Sequence, residues 1–137
     1  MGSGKIVYTD IVKPFVCSAE YTSKMLLDDV VAGEKSIHIN EGTLKGGGTT
    51  LPGAAHAAAE IYYVVKGEAA LTLDDIKYDV RPGSVIFIPA GCNHALENKS
   101  LTDDFVLLTI WENTEHNEVY HERVKAWGKS FKTIDED

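Results

Sequence analysis

Gly83-Ser84-Val85-Ile86-Phe87-Ile88-Pro89-Ala90-Gly91-Cys92-Asn93-His94-Ala95-Leu96-Glu97-Asn98 is the stretch whose reading decides the fold. An apolar run ends at Pro89-Ala90-Gly91, and a second run starts at His94. Proline pre-sets one turn dihedral and glycine supplies a positive φ, so this spacing reads as strand, tight turn, strand. Strand side chains alternate between faces, which places His94, Leu96 and Asn98 together on one of them. A lone histidine proves little, and the question is what meets it.

Working outward, the same grammar repeats. Candidate strands are Lys24–Leu27, Ser36–Glu41, Glu60–Val65, Ala69–Leu73, Ser84–Ile88, His94–Asn98 and Phe105–Trp111. Between them lie Gly46-Gly47-Gly48, Pro52-Gly53, Lys66-Gly67, Asp74-Asp75 and Arg81-Pro82-Gly83. Short, evenly spaced strands with turn residues between them predict an all-β sandwich or barrel. Gly46-Gly47-Gly48 precedes no helix pattern, so it is not a nucleotide-cradling loop. The C-terminal part changes character: Tyr120, Val124 and Trp127 fall at helical spacing within Glu118–Trp127, predicting one short helix laid on the barrel or on a partner subunit. His116 and His121 in that stretch are expected to be exposed.

The 137 residues suffice for one compact domain, and no repeat or linker divides them. The expected organisation is a single domain over 1–137, with a barrel core at about 24–111 and a helix and tail over 115–137. Apolar residues make up 44% and charged residues 25%, as in ordinary soluble proteins. No segment approaches the roughly 20 continuous apolar residues of a membrane span. Met1-Gly2-Ser3-Gly4 lacks the apolar run of a signal peptide, so a cytoplasmic location is the default. The net charge of −8, part of it in the tail Ile134-Asp135-Glu136-Asp137, repels phosphate backbones and argues against nucleic acid. Cys17 and Cys92 are too few for a disulfide framework.

Glu60, Tyr62 and Val64 share one face of their strand; Ile61, Tyr63 and Val65 share the other. A carboxylate heading an apolar strand is costly to bury without a partner, and a metal ion or a cationic group would supply one. His56, four residues earlier, falls on the Glu60 face of an extended chain. If the two hairpins are neighbours, His56, Glu60 and His94 converge inside the barrel.

These two stretches resemble the two signature motifs of the cupin superfamily, in its small single-domain bacterial form. The first motif reads Gly, five residues, His, one residue, His, three or four residues, Glu, six residues, Gly; Gly48, His56, Glu60 and Gly67 match it, and Ala54 stands where the first histidine belongs. The second reads Gly, five residues, Pro, one residue, Gly, two residues, His, three residues, Asn; Gly83, Pro89, Gly91, His94 and Asn98 all match. The resemblance implies a double-stranded β-helix, or jelly-roll, barrel and a homodimer. It does not fix an activity, because the fold hosts many.

Four-ligand cupin sites use three histidines and one glutamate. With Ala54 in place of the first histidine, the metal ligands become His56, Glu60 and His94. Two imidazoles and a carboxylate suit divalent iron, manganese, nickel or zinc and leave open positions. The other reading is a cupin without metal that keeps the three as a hydrogen-bonded cluster. Tyr62, on the Glu60 face, is the first candidate to move a proton, and some cupin lyases carry a tyrosine there. In Ser36–Glu41 the isoleucines Ile37 and Ile39 are expected to face the core and Ser36, His38 and Asn40 the solvent. On the opposite assignment His38 faces the pocket as a substitute ligand or a base. The small residues Ala54, Ala55, Ala57, Ala58 and Ala59 leave room for an organic substrate, with Val64, Phe87 and Leu96 as walls. The implied function is a metal-dependent enzyme acting on a small oxygenated metabolite by Lewis-acid chemistry of lyase, isomerase, cyclase or dehydratase type. An iron-dependent dioxygenase and a non-enzymatic small-molecule-binding cupin are the alternatives.

Overall fold

The structure is a computed structural model that describes residues 4, 6–12, 14–16, 18–27, 37–54 and 58–112. Among them are ten strands: β1 (Phe15–Val16), β2 (Tyr21–Leu27), β3 (Ile37–Leu44), β4 (Thr50–Ala54), β5 (Glu60–Lys66), β6 (Ala69–Leu73), β7 (Ile76–Val80), β8 (Val85–Ile88), β9 (His94–Asn98) and β10 (Phe105–Glu112). They pair antiparallel into a six-stranded sheet, β1-β2-β3-β10-β5-β8, and a four-stranded sheet, β4-β9-β6-β7. This is the expected jelly roll. The predicted helix at Glu118–Trp127, with His116, His121 and Trp127, lies outside the described residues, as does Cys17. No helix among the described residues is long and apolar enough to cross a membrane.

The strands follow the predicted runs, with three additions. β4 contains Pro52-Gly53, which reads as a turn in the sequence. It is tolerated because β4 is an edge strand and its pairing with β9 shifts between Leu51 and Ala54, where proline owes no ladder hydrogen bond. β7 carries a legible alternation of Ile76, Tyr78 and Val80 with Lys77 and Asp79, and it too lies at an edge. β1 has only two residues.

Register makes the interior a set of rows. On the inner face of the six-stranded sheet, Leu44 pairs with Phe105, and Gly42 with Leu107 and then Val64. Next come Asn40, Thr109, Tyr62 and Ile86, and then His38, Trp111, Glu60 and Ile88. The first two rows join Ala69, Leu71, Val80 and Leu96 in the hydrophobic core. The next two are largely polar. Gly42 is required because a Cβ there would collide with the Tyr21 hydroxyl laid across it.

One alternation expected from the sequence is reversed. His38 and Asn40 are buried, whereas Ile37 is exposed and Ile39 only half-buried. The inner rows at this end of the barrel are polar, so the usual rule of apolar side in, polar side out inverts on β3. Phe87, expected as a pocket wall, is 63% exposed on the outer face. Val64 and Leu96 do face inward.

The apolar end is closed by Asn98, which is 1% exposed. Its amide Nδ2 donates to the carbonyls of Leu44 (3.0 Å), Lys45 (3.0 Å) and Asp103 (2.9 Å), and its Oδ1 accepts from the Ser100 amide at 2.9 Å. Replacing Asn98 by Ala strips these buried groups of partners, each loss costing about 1–3 kcal/mol with partial compensation by water. Asn98→Ala is expected to lower the unfolding free energy by about 3 kcal/mol, and Asn98→Asp by more, because a carboxylate would face three carbonyl oxygens. Urea denaturation measures both, and a midpoint unmoved in Asn98→Asp would contradict the clamp.

Candidate functional site

The polar end gathers the residues singled out in the sequence. Glu60 heads β5 on the six-stranded sheet and His94 heads β9 on the other, so the site forms where the sheets face each other. Both are buried, and His94 Nε2 lies 3.9 Å from Glu60 Oε1. His94 Nδ1 is 3.0 Å from the Cys92 carbonyl. A carbonyl only accepts, so Nδ1 carries a proton, and in the neutral ring the lone pair sits on Nε2, the atom near Glu60. The Pro89-Ala90-Gly91 turn sets this geometry by bringing Cys92 back over the ring, with the Cys92 amide donating to the Pro89 carbonyl at 3.1 Å. Partial desolvation and then the Asp74 carboxylate push the Cys92 thiol up, so it is not a reactive thiolate.

Residue 54 pairs directly with His94 across β4 and β9. The position of the missing histidine thus adjoins the pair. His56 lies outside the described residues, and among the described residues no three His, Cys, Asp or Glu side chains cluster as metal ligands.

Tyr62 shares the Glu60 face, as its spacing requires, and stands edge-on to His94 with ring centroids 5.8 Å apart and planes at 80°. Burial, then the Glu60 carboxylate, then Tyr21 push its phenol well above the ordinary tyrosine range. Tyr62 is therefore a neutral hydrogen-bond donor in this setting.

His38 lies on the Glu60 row but two strands away, roughly 10 Å across the sheet, with Trp111 between them. Its ring lies 5.3 Å from that of Trp111 at 54°. Asn40 Nδ2 donates to Ser23 Oγ at 3.2 Å beside it. Trp111, Thr109, Asn40 and Ser23 complete the polar interior; Asn40 was expected at the solvent with His38, and the other three carry no expectation from the sequence. The alternation Phe105, Leu107, Thr109, Trp111 in β10 was the signal for two of them.

A two-sheet antiparallel barrel with a buried carboxylate and imidazole facing each other from opposite sheets defines the class. The Cupin domain family matches residues 36–111, more than half of the chain, and the chain belongs to this family. An uncharacterised protein of Methanocaldococcus jannaschii is 31% identical over 97 residues, covering 69% of this chain and 77% of that protein. Among solved structures, the polyketide cyclase RemF from Streptomyces resistomycificus is similar at TM-score 0.73 and 24% identity, over 82% of this chain and 81% of that one. A predicted oxalate decarboxylase from Thermotoga maritima is similar at TM-score 0.69 and 21% identity, over 78% and 97%. At these identities the structural likeness shows the fold alone.

The raised Tyr62 pKa has a consequence for stability. The unfolded chain loses the phenol proton near pH 10, whereas the folded chain holds it to higher pH, so folding is favoured below that value and weakens above it. In chelator-treated protein the unfolding free energy should fall by about 1.4 kcal/mol per pH unit above pH 10 from this group. Tyr62→Phe should remove that slope while leaving the other tyrosines' contributions. Urea melts at pH 9 to 11 measure the difference, and parallel slopes in the two proteins would exclude it.

Proposed function

We propose that the chain is a metal-dependent cupin enzyme acting on a small oxygenated metabolite by Lewis-acid chemistry of lyase, isomerase, cyclase or dehydratase type. The observation that carries this reading is the Glu60–His94 pair. At 3.9 Å it is too long for a hydrogen bond. It is shorter than the about 4.2 Å reached by two donors held at about 2.1 Å on opposite sides of one ion, so a small side-chain adjustment lets both reach a single ion. A hydrogen bond to a backbone carbonyl on the far ring nitrogen is what orients a metal-binding histidine. The donor set therefore fits a divalent ion.

Glu60 and His94 would hold it, with His56 completing the set by its spacing; iron, manganese, nickel and zinc all accept such ligands. Bound there, a divalent ion would polarise a carbonyl or carboxylate oxygen of the substrate and stabilise the negative charge that develops on it. Tyr62, as a neutral phenol beside His94, donates a hydrogen bond to a substrate oxygen on which negative charge develops. Val64, Leu96 and Ile88 form the apolar floor that keeps water from below. His38, across Trp111 from Glu60, supports the Trp111 ring rather than moving the substrate proton. The names of the similar structures, a polyketide cyclase and a predicted oxalate decarboxylase, lend this reading the support of enzymes on the same fold.

Protein purified without chelator should contain near-stoichiometric transition metal by elemental analysis. Glu60→Gln or His94→Ala should weaken retention about 100-fold or more, since even outer contacts to a ligand cost 10–100-fold. Full retention after His56, Glu60 and His94 are together replaced by Ala would sink the assignment. Metal-loaded protein is then incubated under argon with a panel of small hydroxy and keto acids and followed by NMR. Turnover without oxygen is expected, reduced about 100-fold or more in Tyr62→Phe at unchanged metal content. Turnover only in air would instead make the protein a dioxygenase.

A further inference from the structure

One inner row of the six-stranded sheet runs Asn40, Thr109, Tyr62, a step deeper in the barrel than the row that holds Glu60. Two residues along a strand span about 7 Å, which is the depth of this row below the Glu60 row. Thr109 pairs directly with Tyr62 across β10 and β5, and such partners have Cβ atoms about 5 Å apart on one face. Both are buried, Thr109 to 8% exposure and Tyr62 to 5%. On the other side of Thr109, Asn40 turns toward β2 and donates through Nδ2 to Ser23 Oγ at 3.2 Å. Among the described residues the Thr109 hydroxyl finds no hydrogen-bond partner, and neither does the Tyr62 phenol.

A hydroxyl buried without a partner costs free energy. Valine has the same shape without that cost, and it suits a strand as well as threonine does. Val64 and Leu107, one row deeper, show that this interior accepts apolar side chains. The fold alone therefore gives no reason for a hydroxyl at position 109, whereas a bound polar molecule does.

We infer that Thr109 is a specificity-determining residue that binds a second, uncharged oxygen of the substrate, a hydroxyl or a ketone, an assignment that rests on Glu60 and His94 holding the ion that takes the first. A threonine hydroxyl both donates and accepts, so it matches either kind of oxygen. It is a poor match for a second carboxylate, which calls for a cation. Among the described residues no lysine or arginine is buried, and the buried imidazoles of His38 and His94 lie with the Glu60 row. The distance of about 7 Å between rows, shortened by the contacts at either end, suits an acid of roughly four to six carbons. Tyr62 faces the same molecule from the neighbouring strand, so the paired residues divide the work: the phenol serves the oxygen that gains charge, and Thr109 selects the distal one.

Wild type, Thr109→Val and Thr109→Ser are loaded with metal, and the metal content of each is measured. They are then titrated calorimetrically with butanoate, pentanoate and hexanoate, with the 3- and 4-hydroxy and oxo derivatives of these acids, and with the diacids of the same lengths. In wild type at least one hydroxy or oxo acid should bind about 10-fold or more tighter than its unsubstituted parent, and tighter than the diacid. Thr109→Val should lose that preference and Thr109→Ser should keep it, at equal metal content. The urea midpoint of ligand-free Thr109→Val should equal or exceed that of wild type. A preference that survives in Thr109→Val, a preference for the diacid, or no gain from any added oxygen overturns the proposal. So does a lowered midpoint in Thr109→Val, which would give the hydroxyl a role in the fold. Failure of the ion site is read separately, as wild type without metal before any acid is added; the preference for an oxygenated acid and the urea comparison then still decide the role of Thr109.

Discussion

The Asn98 side chain is the constraint on which the rest of the barrel depends. Two N–H bonds shared among the carbonyls of Leu44, Lys45 and Asp103 tie the end of β9 to the end of β3 and to the loop entering β10. No apolar side chain can do this, because the backbone groups gathered there are buried and need donors. Fixing Asn98 inward fixes the parity of β9, and His94, four residues back, must then face the same interior. A slip of one residue would turn the imidazole out to solvent. The asparagine of the second motif thus acts on the site from the other end of its strand.

From that anchor the interior grades from apolar to polar along the strands. Phe105, Leu44 and Leu107 are fully packed and supply the burial that stabilises the fold. Toward the opposite end the same strands present Thr109, Asn40, Tyr62, Glu60 and His38 to the interior. Burying so many polar groups is costly unless each is hydrogen-bonded or serves a ligand. The apolar half offsets that cost and makes the polar half rigid. Gly67, held at φ +85° between β5 and β6, lets the chain turn tightly between the sheets, since a Cβ there would press within 2.7 Å of the Asp104 carbonyl.

Much of this was legible in the sequence, for a physical reason that also marks where reading stops. Turn chemistry is local: Pro89-Ala90-Gly91 and Lys66-Gly67 delimit β8, β9, β5 and β6 almost to the residue. Alternation is local too, and it placed Glu60, Tyr62 and Val64 inward correctly. It failed on β3, where Ile37 and Ile39 looked like the buried set. Which face of a strand is interior depends on what the neighbouring strands present, and His38 is interior because Trp111 and Glu60 share its row. That information resides in register, which no single run of residues encodes. Phe87 departs from its expected place for the same reason: an aromatic in an apolar strand reads as an interior wall, and register puts it on the outer face.

Ala54 ties these threads to the chemistry. The register sets residue 54 opposite His94, so a histidine there would have added a further imidazole beside the Glu60–His94 pair. Alanine removes both the donor and its bulk at that point. An ion held by His56, Glu60 and His94 would keep positions free for substrate oxygens, and the lost side-chain volume would lie beside those positions. The loss of one ligand and the gain of substrate space are then the same substitution. Retention depends on how firmly the remaining donors are held, and His94 is held firmly: its far nitrogen is bonded to the Cys92 carbonyl and its strand is anchored at Asn98. A site with fewer ligands can still be well ordered when the order comes from the barrel.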